Sequence, residues 1–366
     1  MEQIVKSDKM RIHIIGCARN ASTTNIPADP FATVSYYLTT YLHRNNHEVH
    51  YYGYKESEVE CKQKWECGDF SFLDKHYVTD ITSDHFQDDH DANLIFFNNA
   101  KLHLLNNCKD NDIIICMWSP SISVISSTIN KNFKGVKIID GHIGHRLPNA
   151  DTSYHVWTSN ANRHFNYGMQ ASNENYWHDA TIAPIASSLT TFDCVDYKSD
   201  YFLFMGRLDE CKGLSIFLQL AKHFSTRKFI LAGQGRISTE YSIPQNVTFV
   251  GLLNSEKRKE YLANAIAVIS PTYYVEPFGL TAIEAGLSGT PIISTDHGGY
   301  TETVVNGYNG FRCSYFNDFV NAINNIDKIK SKDCRTFAEK FTAESLINEW
   351  ETYLHRINRD TWYSLD

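Results

Sequence analysis

The densest concentration of chemistry-bearing side chains lies in PTYYVEPFGLTAIEAGLSGTPIISTDHGG, residues 271–299. Glu276 and Glu284 stand there with seven residues between them, and Pro277-Phe278-Gly279-Leu280 opens the gap. The composition passes from a strand end through a Pro/Gly turn into a helix that begins near Thr281. The first amides of such a helix lack intrahelical partners and carry the positive end of its dipole, so an anion belongs in front of them. Gly279 lets backbone approach a phosphate closely. Glu284, one turn into the helix, can accept two hydroxyl hydrogen bonds, as a ribose diol requires. Glu276, ahead of the turn, faces a different group.

A second cluster, Gly206-Arg-Leu-Asp-Glu-Cys-Lys-Gly213, again follows a strand and precedes a helix. Two fixed cations, Arg207 and Lys212, suit a diphosphate and would neutralise charge that builds on it as it leaves. With them in place the need for a divalent metal falls, and no metal is assigned. Asp-x-Asp, a metal-chelating spacing, occurs at Asp89-His90-Asp91 and Asp110-Asn111-Asp112, but both lie in polar stretches that read as solvated loops. Cys211, between two charged residues, is a candidate for a lowered thiol pKa beside Lys212.

These clusters need strands and helices to hold them. Residues 11–15, 113–118, 136–140, 155–159 and 181–184 have strand character, and Phe31, Val34, Leu38 and Leu42 have helical spacing. After a polar link at 190–200, strands at 201–205, 228–232, 247–250, 265–270 and 291–295 alternate with helices at 214–224, 256–265 and 281–288. Such alternation predicts parallel sheets covered by helices on both faces. Leu346, Trp350 and Leu354 mark a terminal amphipathic helix. Residues 56–91, polar and acidic, read as an irregular surface insertion. The 366 residues fit two domains at roughly 150 residues each, expected at 1–192 and 193–340, with 341–366 a helix free to pack back on the first domain.

Thirty-four Lys and Arg against 42 Asp and Glu give a net charge of −8, which removes a global positive field for nucleic acid or anionic membrane. No apolar run reaches the roughly 20 residues that span a bilayer, and the N-terminus does not resemble a signal peptide. Nine cysteines without a C-x-x-C pair fit reduced thiols. The expected location is the cytoplasm, or the host cytoplasm if the source is viral.

At 206–213, 247–251 and 276–299 the chain resembles the donor-binding half of retaining glycosyltransferases of family 4, the glycosyl transferases group 1, which share the GT-B fold. The resemblance covers 201–313 in motif and the N-terminal half in layout. It implies an α/β architecture of two Rossmann-like parallel-sheet domains facing a central cleft. It also implies a nucleotide diphosphate sugar as donor substrate, no further cofactor, retention at the anomeric carbon and no metal. Carried over by position, Arg207 and Lys212 hold the diphosphate, Phe278, Gly279, Leu280 and Thr281 complete the phosphate site, Glu284 holds the ribose and Glu276 lies near the sugar. Backbone around Val250–Leu253 would read the base. Gly16-Cys-Ala-Arg-Asn20 stands in place of the twin-glycine loop often found after the first strand, leaving Gly16 as the candidate donor contact there. A histidine at the domain cleft is expected from 136–145, and His142 and His145 compete for that place.

Two function classes stay open: a sugar transferase, and a catalytically silent nucleotide-sugar binder on the same fold. An NAD-dependent oxidoreductase would need G-x-G-x-x-G after the first strand, which Gly16-Cys-Ala-Arg-Asn-Ala21 does not supply. The Asn- and Tyr-rich composition suggests a low-GC bacterial or viral source. A glycan, lipid-linked or other small acceptor is favoured over nucleic acid, a modified base in viral DNA being the minority alternative. The sequence leaves the oligomeric state unspecified.

Overall fold

A computed structural model describes residues 9–24, 29–72, 90–144, 149–170, 178–195, 197–235, 237 and 241–359, with backbone only at 90, 142, 143 and 170. Strand β1 (Arg11–Ile15) leads to helix α1 (Pro30–Arg44), then to β2 (Glu48–Tyr54) and β3 (Gln63–Gly68). Helix α2 (His90–Asn107), β4 (Ile113–Cys116), α3 (Pro120–Asn132), β5 (Lys137–Ile143), β6 (Tyr154–Trp157), α4 (Asn160–Gln170) and β7 (Ala180–Thr181) follow. The strands make one parallel sheet in the order β3-β2-β1-β4-β5-β6-β7. All four residues of β4 are buried, as expected of a strand covered on both faces.

The second sheet is built from β8 (Tyr201–Met205), α5 (Leu214–His223), β9 (Lys228–Ala232), β10 (Val247–Gly251), α6 (Ser255–Asn264), β11 (Ala267–Ser270), α7 (Leu280–Leu287) and β12 (Ile292–Thr295). The one-turn α8 (Tyr300–Thr303), β13 (Gly310–Cys313), α9 (Phe316–Asn324) and α10 (Ser331–Ala338) complete it, in the strand order β10-β9-β8-β11-β12-β13. Each sheet therefore reverses direction once, between β1 and β4 and between β8 and β11. At such a switch point the loops leaving the two neighbouring strands part in opposite directions and open a crevice.

The last helix, α11 (Ala343–Arg359), returns to the first sheet. Leu346, Ile347, Trp350, Leu354 and Ile357 are buried in one cluster with Val34, Leu38 and Leu42 of α1. At roughly 1.5–3 kcal/mol per fully buried large side chain, this seam is a substantial tie between the C-terminus and the N-terminal layer.

Two sequence expectations need correction. Within 56–91, residues 63–68 form an edge strand, paired from His50↔Gln63 to Tyr54↔Gly68. Its polar residues face solvent as edge strands require, which hid the alternation carried by Trp65 and Cys67. Asp112 is buried, not solvated: His13 Nε2 lies 2.9 Å from its Oδ2 and the Lys109 amide donates to the same oxygen at 2.7 Å. With Arg11 Nε at 3.4 Å, and Tyr52 OH 2.8 Å from His13 Nδ1, that carboxylate sits in a hydrogen-bonded network at the amino end of β4, the end opposite the cleft. Asp89 lies outside the described residues, and Asp91 is exposed in the first turn of α2.

Candidate functional site

The loop that leaves β8 is shaped by its own side chains. Asp209 Oδ1 accepts from the Lys212 amide at 3.0 Å and caps a single 3-10 turn, Glu210–Lys212. Gly213 then takes φ 80°, and a Cβ there would fall 1.9 Å from the Pro271 carbonyl oxygen. The loops after β8 and β11 thus touch backbone to backbone, joined by the Tyr273 amide donating to Cys211 O at 2.8 Å. This contact brings Lys212 to the first carboxylate: its Nζ lies 3.0 Å from Glu276 Oε2 and 4.6 Å from the Tyr274 ring centre. Tyr274 OH donates to the same Glu276 oxygen. Burial and the neighbouring Glu276 push the Tyr274 phenol far up, so it stays a donor. Arg207 is exposed beside them, 3.4 Å from Asp209 Oδ2.

The turn into α7 is fixed in a similar way. Gly279 has φ 88°, and a Cβ there would lie 2.6 Å from the Tyr300 ring. Gly298 and Gly299 press on the turn from the other side, where added Cβ atoms would meet Glu276 N at 2.7 Å and Phe278 Cα at 2.4 Å. The Gly299 amide donates to Glu276 O at 2.6 Å. Leu280 and Thr281, the first residues of α7, therefore open on the crevice. One turn on, Glu284 is buried and paired with Arg258 of α6. Burial raises its pKa and the guanidinium opposes that rise.

The opposite wall comes from the first sheet. Arg19, on the loop after β1, lies with its guanidinium 4.4 Å from the centre of the Trp118 ring, on the loop after β4. Asp140, midway along β5, is buried, accepts from Ser119 Oγ at 2.7 Å and from the Asn149 amide at 3.2 Å, and so joins β5 to the loop after β4 and to Asn149. Burial outweighs these donors and pushes its carboxyl up to about 6. His155 Nδ1, Trp157 Nε1 and Tyr167 OH all reach Asp179 at 2.6–2.7 Å next to it. The walls meet where Ser159 Oγ donates to Pro277 O at 2.5 Å and where Glu302 accepts from the Asn160 and Ala161 amides at 3.1 and 2.7 Å.

Between them lies a cleft of about 810 Å³. Arg207, Lys212, Glu276, Phe278, Gly279, Leu280, Thr281 and Glu284 all line it, so these eight expected site residues converge. Two expected residues lie elsewhere. Of the stretch 250–253, Val250 packs against the core under the second sheet, while Leu252 and Leu253 line the cleft as expected. Gly16 is buried against Tyr51, whose OH a Cβ would meet at 2.1 Å, and Arg19 lines the cleft instead. His142 lies on β5 with only its backbone described, His145 falls outside the described residues, and Gly144 between them lines the cleft. The Cys211 thiol is raised, not lowered, to about 11: burial and its hydrogen bond to Asp209 outweigh Arg207 and Lys212. Arg19, Trp118, Arg258 and Tyr300 were not singled out from sequence. Each reaches the cleft through a long-range contact, and only the polar opening of α6 after its Asn254 cap gave Arg258 a local signal.

Residues 195–341 match the family model described as glycosyl transferases group 1. The alpha-1,3/1,6-mannosyltransferase ALG2 of Dictyostelium discoideum is 38% identical over 97 residues, 25% of this chain and 23% of that protein, so the chain matches about a quarter of that relative's length. The sucrose-phosphate synthase of Thermosynechococcus elongatus superposes with TM-score 0.67 at 19% identity, covering 96% of this chain and 98% of that one. The Anabaena protein HepE, solved with UDP and glucose, gives TM-score 0.64 at 15% identity over 94% and 99%. Among the described residues no helix is long and apolar enough to cross a membrane. Two parallel Rossmann-like sheets about one cleft give the chain the GT-B fold, and within it residues 195–341, the second sheet and its helices, match the glycosyl transferases group 1 family.

Proposed function

We propose that the protein moves a sugar from a UDP- or GDP-linked donor to an acceptor hydroxyl, with retention at the anomeric carbon and without a metal. The observation that carries this reading is the convergence at the β8/β11 switch point of Arg207, Lys212 and the opening of α7 on one cleft wall, with Glu276 and Glu284 beside them. The donor diphosphate takes Glu276's place as partner of Lys212, Arg207 and the first α7 amides complete its cradle, and Glu284 takes the ribose. The freed Glu276 and a histidine of segment 142–145 face the sugar.

In a front-face displacement the acceptor oxygen bonds to the anomeric carbon on the side from which the diphosphate leaves. The bond to the leaving phosphate oxygen breaks, and that oxygen takes the acceptor proton. Arg207, Lys212 and the α7 dipole stabilise the charge on the departing group. A glycan, lipid-linked or other small hydroxyl acceptor fits the net charge of −8 better than nucleic acid, and a cytoplasmic enzyme is the working assignment.

The test is incubation with a panel of UDP- and GDP-sugars in EDTA, following nucleotide release and thermal shift. One nucleotide class should stabilise the protein, its sugar should be released slowly without metal, and Lys212→Ala or Arg207→Ala should lower release by about 100-fold or more. Stabilisation by neither class overturns the donor assignment. Binding without turnover on any acceptor gives the lead to a silent binder.

A further inference from the structure

At the end of the first sheet opposite the cleft, a thiol, an imidazole and a carboxylate are buried together. His13 of β1, Cys108 just after α2 and Asp112 just before β4 are 0%, 6% and 5% exposed. One ligand atom from each, the sulfur for Cys108, lies within 4.8 Å of the other two. A tetrahedral zinc ion holds its nitrogen, oxygen and sulfur ligands about 3.3–3.6 Å apart, so a small movement closes these three around one ion. Asp112 Oδ2 accepts the Lys109 amide at 2.7 Å on one side and faces His13 Nε2 at 2.9 Å on the other, where a cation would enter. Behind the imidazole, Tyr52 OH lies 2.8 Å from His13 Nδ1. A phenol serves that nitrogen as donor or as acceptor, so the ring can carry its proton on Nδ1 and free Nε2 as a ligand.

Two buried nitrogens beside the cluster are unfinished. His50 stacks on His13 with ring centres 5.1 Å apart, and its Nε2 faces Glu48 at 3.1 Å while Nδ1 has no hydrogen-bond partner among the described residues. Arg11 Nε, 3.4 Å from Asp112 Oδ2, is likewise buried without a hydrogen bond. Buried polar atoms left in this way point to a water or an ion. Arg11 also faces Glu48 at 3.4 Å, so with Cys108 as a thiol the group holds one positive and two negative charges. A divalent cation that displaces the thiol proton makes it neutral. Lys109, Asp110 and Asn111 are exposed, which gives an ion a way in through the loop that carries two of the ligands.

We propose that His13, Cys108 and Asp112 form a binding site for a divalent cation of the zinc type, with a water as its fourth ligand. Cys108 loses its thiol proton to solvent, His13 moves its proton from Nε2 to Nδ1, and sulfur, Nε2 and Oδ2 each give a lone pair to the ion. One proton is released for each ion bound. The thiolate favours zinc over magnesium or calcium, which prefer oxygen ligands throughout. The bound water is a donor of the kind that His50 Nδ1 needs. The ion clamps the end of α2 to β1 and β4 and so stabilises the first sheet. It lies away from the cleft and takes no part in sugar transfer, and the site stands or falls independently of the donor reading.

Titration of the EDTA-stripped full chain with Co²⁺, followed by displacement with Zn²⁺, tests it. The wild type should take up about one Co²⁺ per chain with a near-ultraviolet thiolate-to-cobalt charge-transfer band, and Zn²⁺ should remove that band. Cys108→Ala should lose the band and bind Zn²⁺ at least about 100-fold more weakly, and Tyr52→Phe, which takes the partner from His13 Nδ1, should weaken Zn²⁺ about 10-fold. Zn²⁺ should raise the melting temperature of the wild type and leave that of Cys108→Ala unchanged. A wild type without the sulfur band, or a band that survives Cys108→Ala, overturns the site and leaves a hydrogen-bonded network only. Circular dichroism melts confirm that each variant is folded. Should Cys108→Ala fail to fold, X-ray absorption of the zinc-loaded wild type decides. A sulfur at about 2.3 Å beside nitrogen or oxygen at about 2.0–2.2 Å supports the site, and a shell of nitrogen and oxygen alone overturns it.

Discussion

The two switch points of this molecule have the same topology and are finished in different ways. At β8/β11 the loops meet backbone to backbone, through glycines where there is no room for a side chain. At β1/β4 the corresponding loops carry Arg19 over Trp118, and Ser119 and Asn149 are held by a buried carboxylate, Asp140. One wall is thus set by backbone contact and the other by side-chain networks. Backbone contact fixes ionic groups to a small tolerance, which suits the proposed role of that wall in holding a donor diphosphate. Side-chain networks can be rebuilt residue by residue, as a surface facing a variable acceptor would need.

The sharpest way to break this contrast is to make one substitution in both walls. Gly213→Ala places a methyl 1.9 Å from the Pro271 oxygen at φ 80°, so the two donor-side loops must part and Lys212 must leave Glu276. We expect a loss of about 2–4 kcal/mol in urea unfolding and loss of nucleotide-induced stabilisation. Gly144→Ala meets no described atom within 4 Å and should change stability by less than about 0.5 kcal/mol. Equal effects in the two variants would remove the distinction.

The same contrast decides what could be read from sequence. Glycines at left-handed or crowded positions, charges in the same loop and a helix start within a few residues are local features, so Arg207, Lys212, Glu276, Gly279 and Glu284 were legible one after another. The strand alternation of both halves was legible too, because buried parallel strands are near-continuous apolar runs. Arg258 was not, because it earns its place through a partner 26 residues away. Arg19 depends on Trp118 across the sheet, and Gly16, expected to face a phosphate, is a glycine because Tyr51 packs where its side chain would be. The edge strand β3 was missed because an edge selects for the polarity that loops also have.

A medium effect is expected at the acceptor-side network. The folded protein holds the Asp140 proton up to about pH 6, whereas a free aspartate releases it near 3.8. Between those values the folded state binds the extra proton, so this group's contribution to stability falls as pH rises through the window and is constant above it. Asp140→Asn cannot ionise. Its stability relative to wild type should improve by about 2–3 kcal/mol between pH 4 and pH 7, measured by urea unfolding at both values. His155 and Asp179 lie next to it in both proteins, so the difference between the two curves is the informative quantity. Parallel curves would mean that the Ser119 and Asn149 donors, and not burial, set this carboxyl.

The smallest effect belongs to the seam where the two walls meet. Glu302 accepts the first two amides of α4 across the cleft edge, while Ser159 and Thr158 hold the Pro277 carbonyl a few residues away. Glu302 is partly exposed, so Glu302→Ala leaves its amides to water and should cost about 0.5–1 kcal/mol. The informative quantity is its coupling to Ser159→Ala in a double-mutant cycle. If α4 and the Pro277 turn move as one body, breaking either contact weakens the other, and the cycle should return an interaction of at least about 0.5 kcal/mol. Strict additivity would mean that the donor turn and the acceptor wall touch at two independent points, and that rigidity at β8/β11 stops at Pro277 without being handed across the cleft.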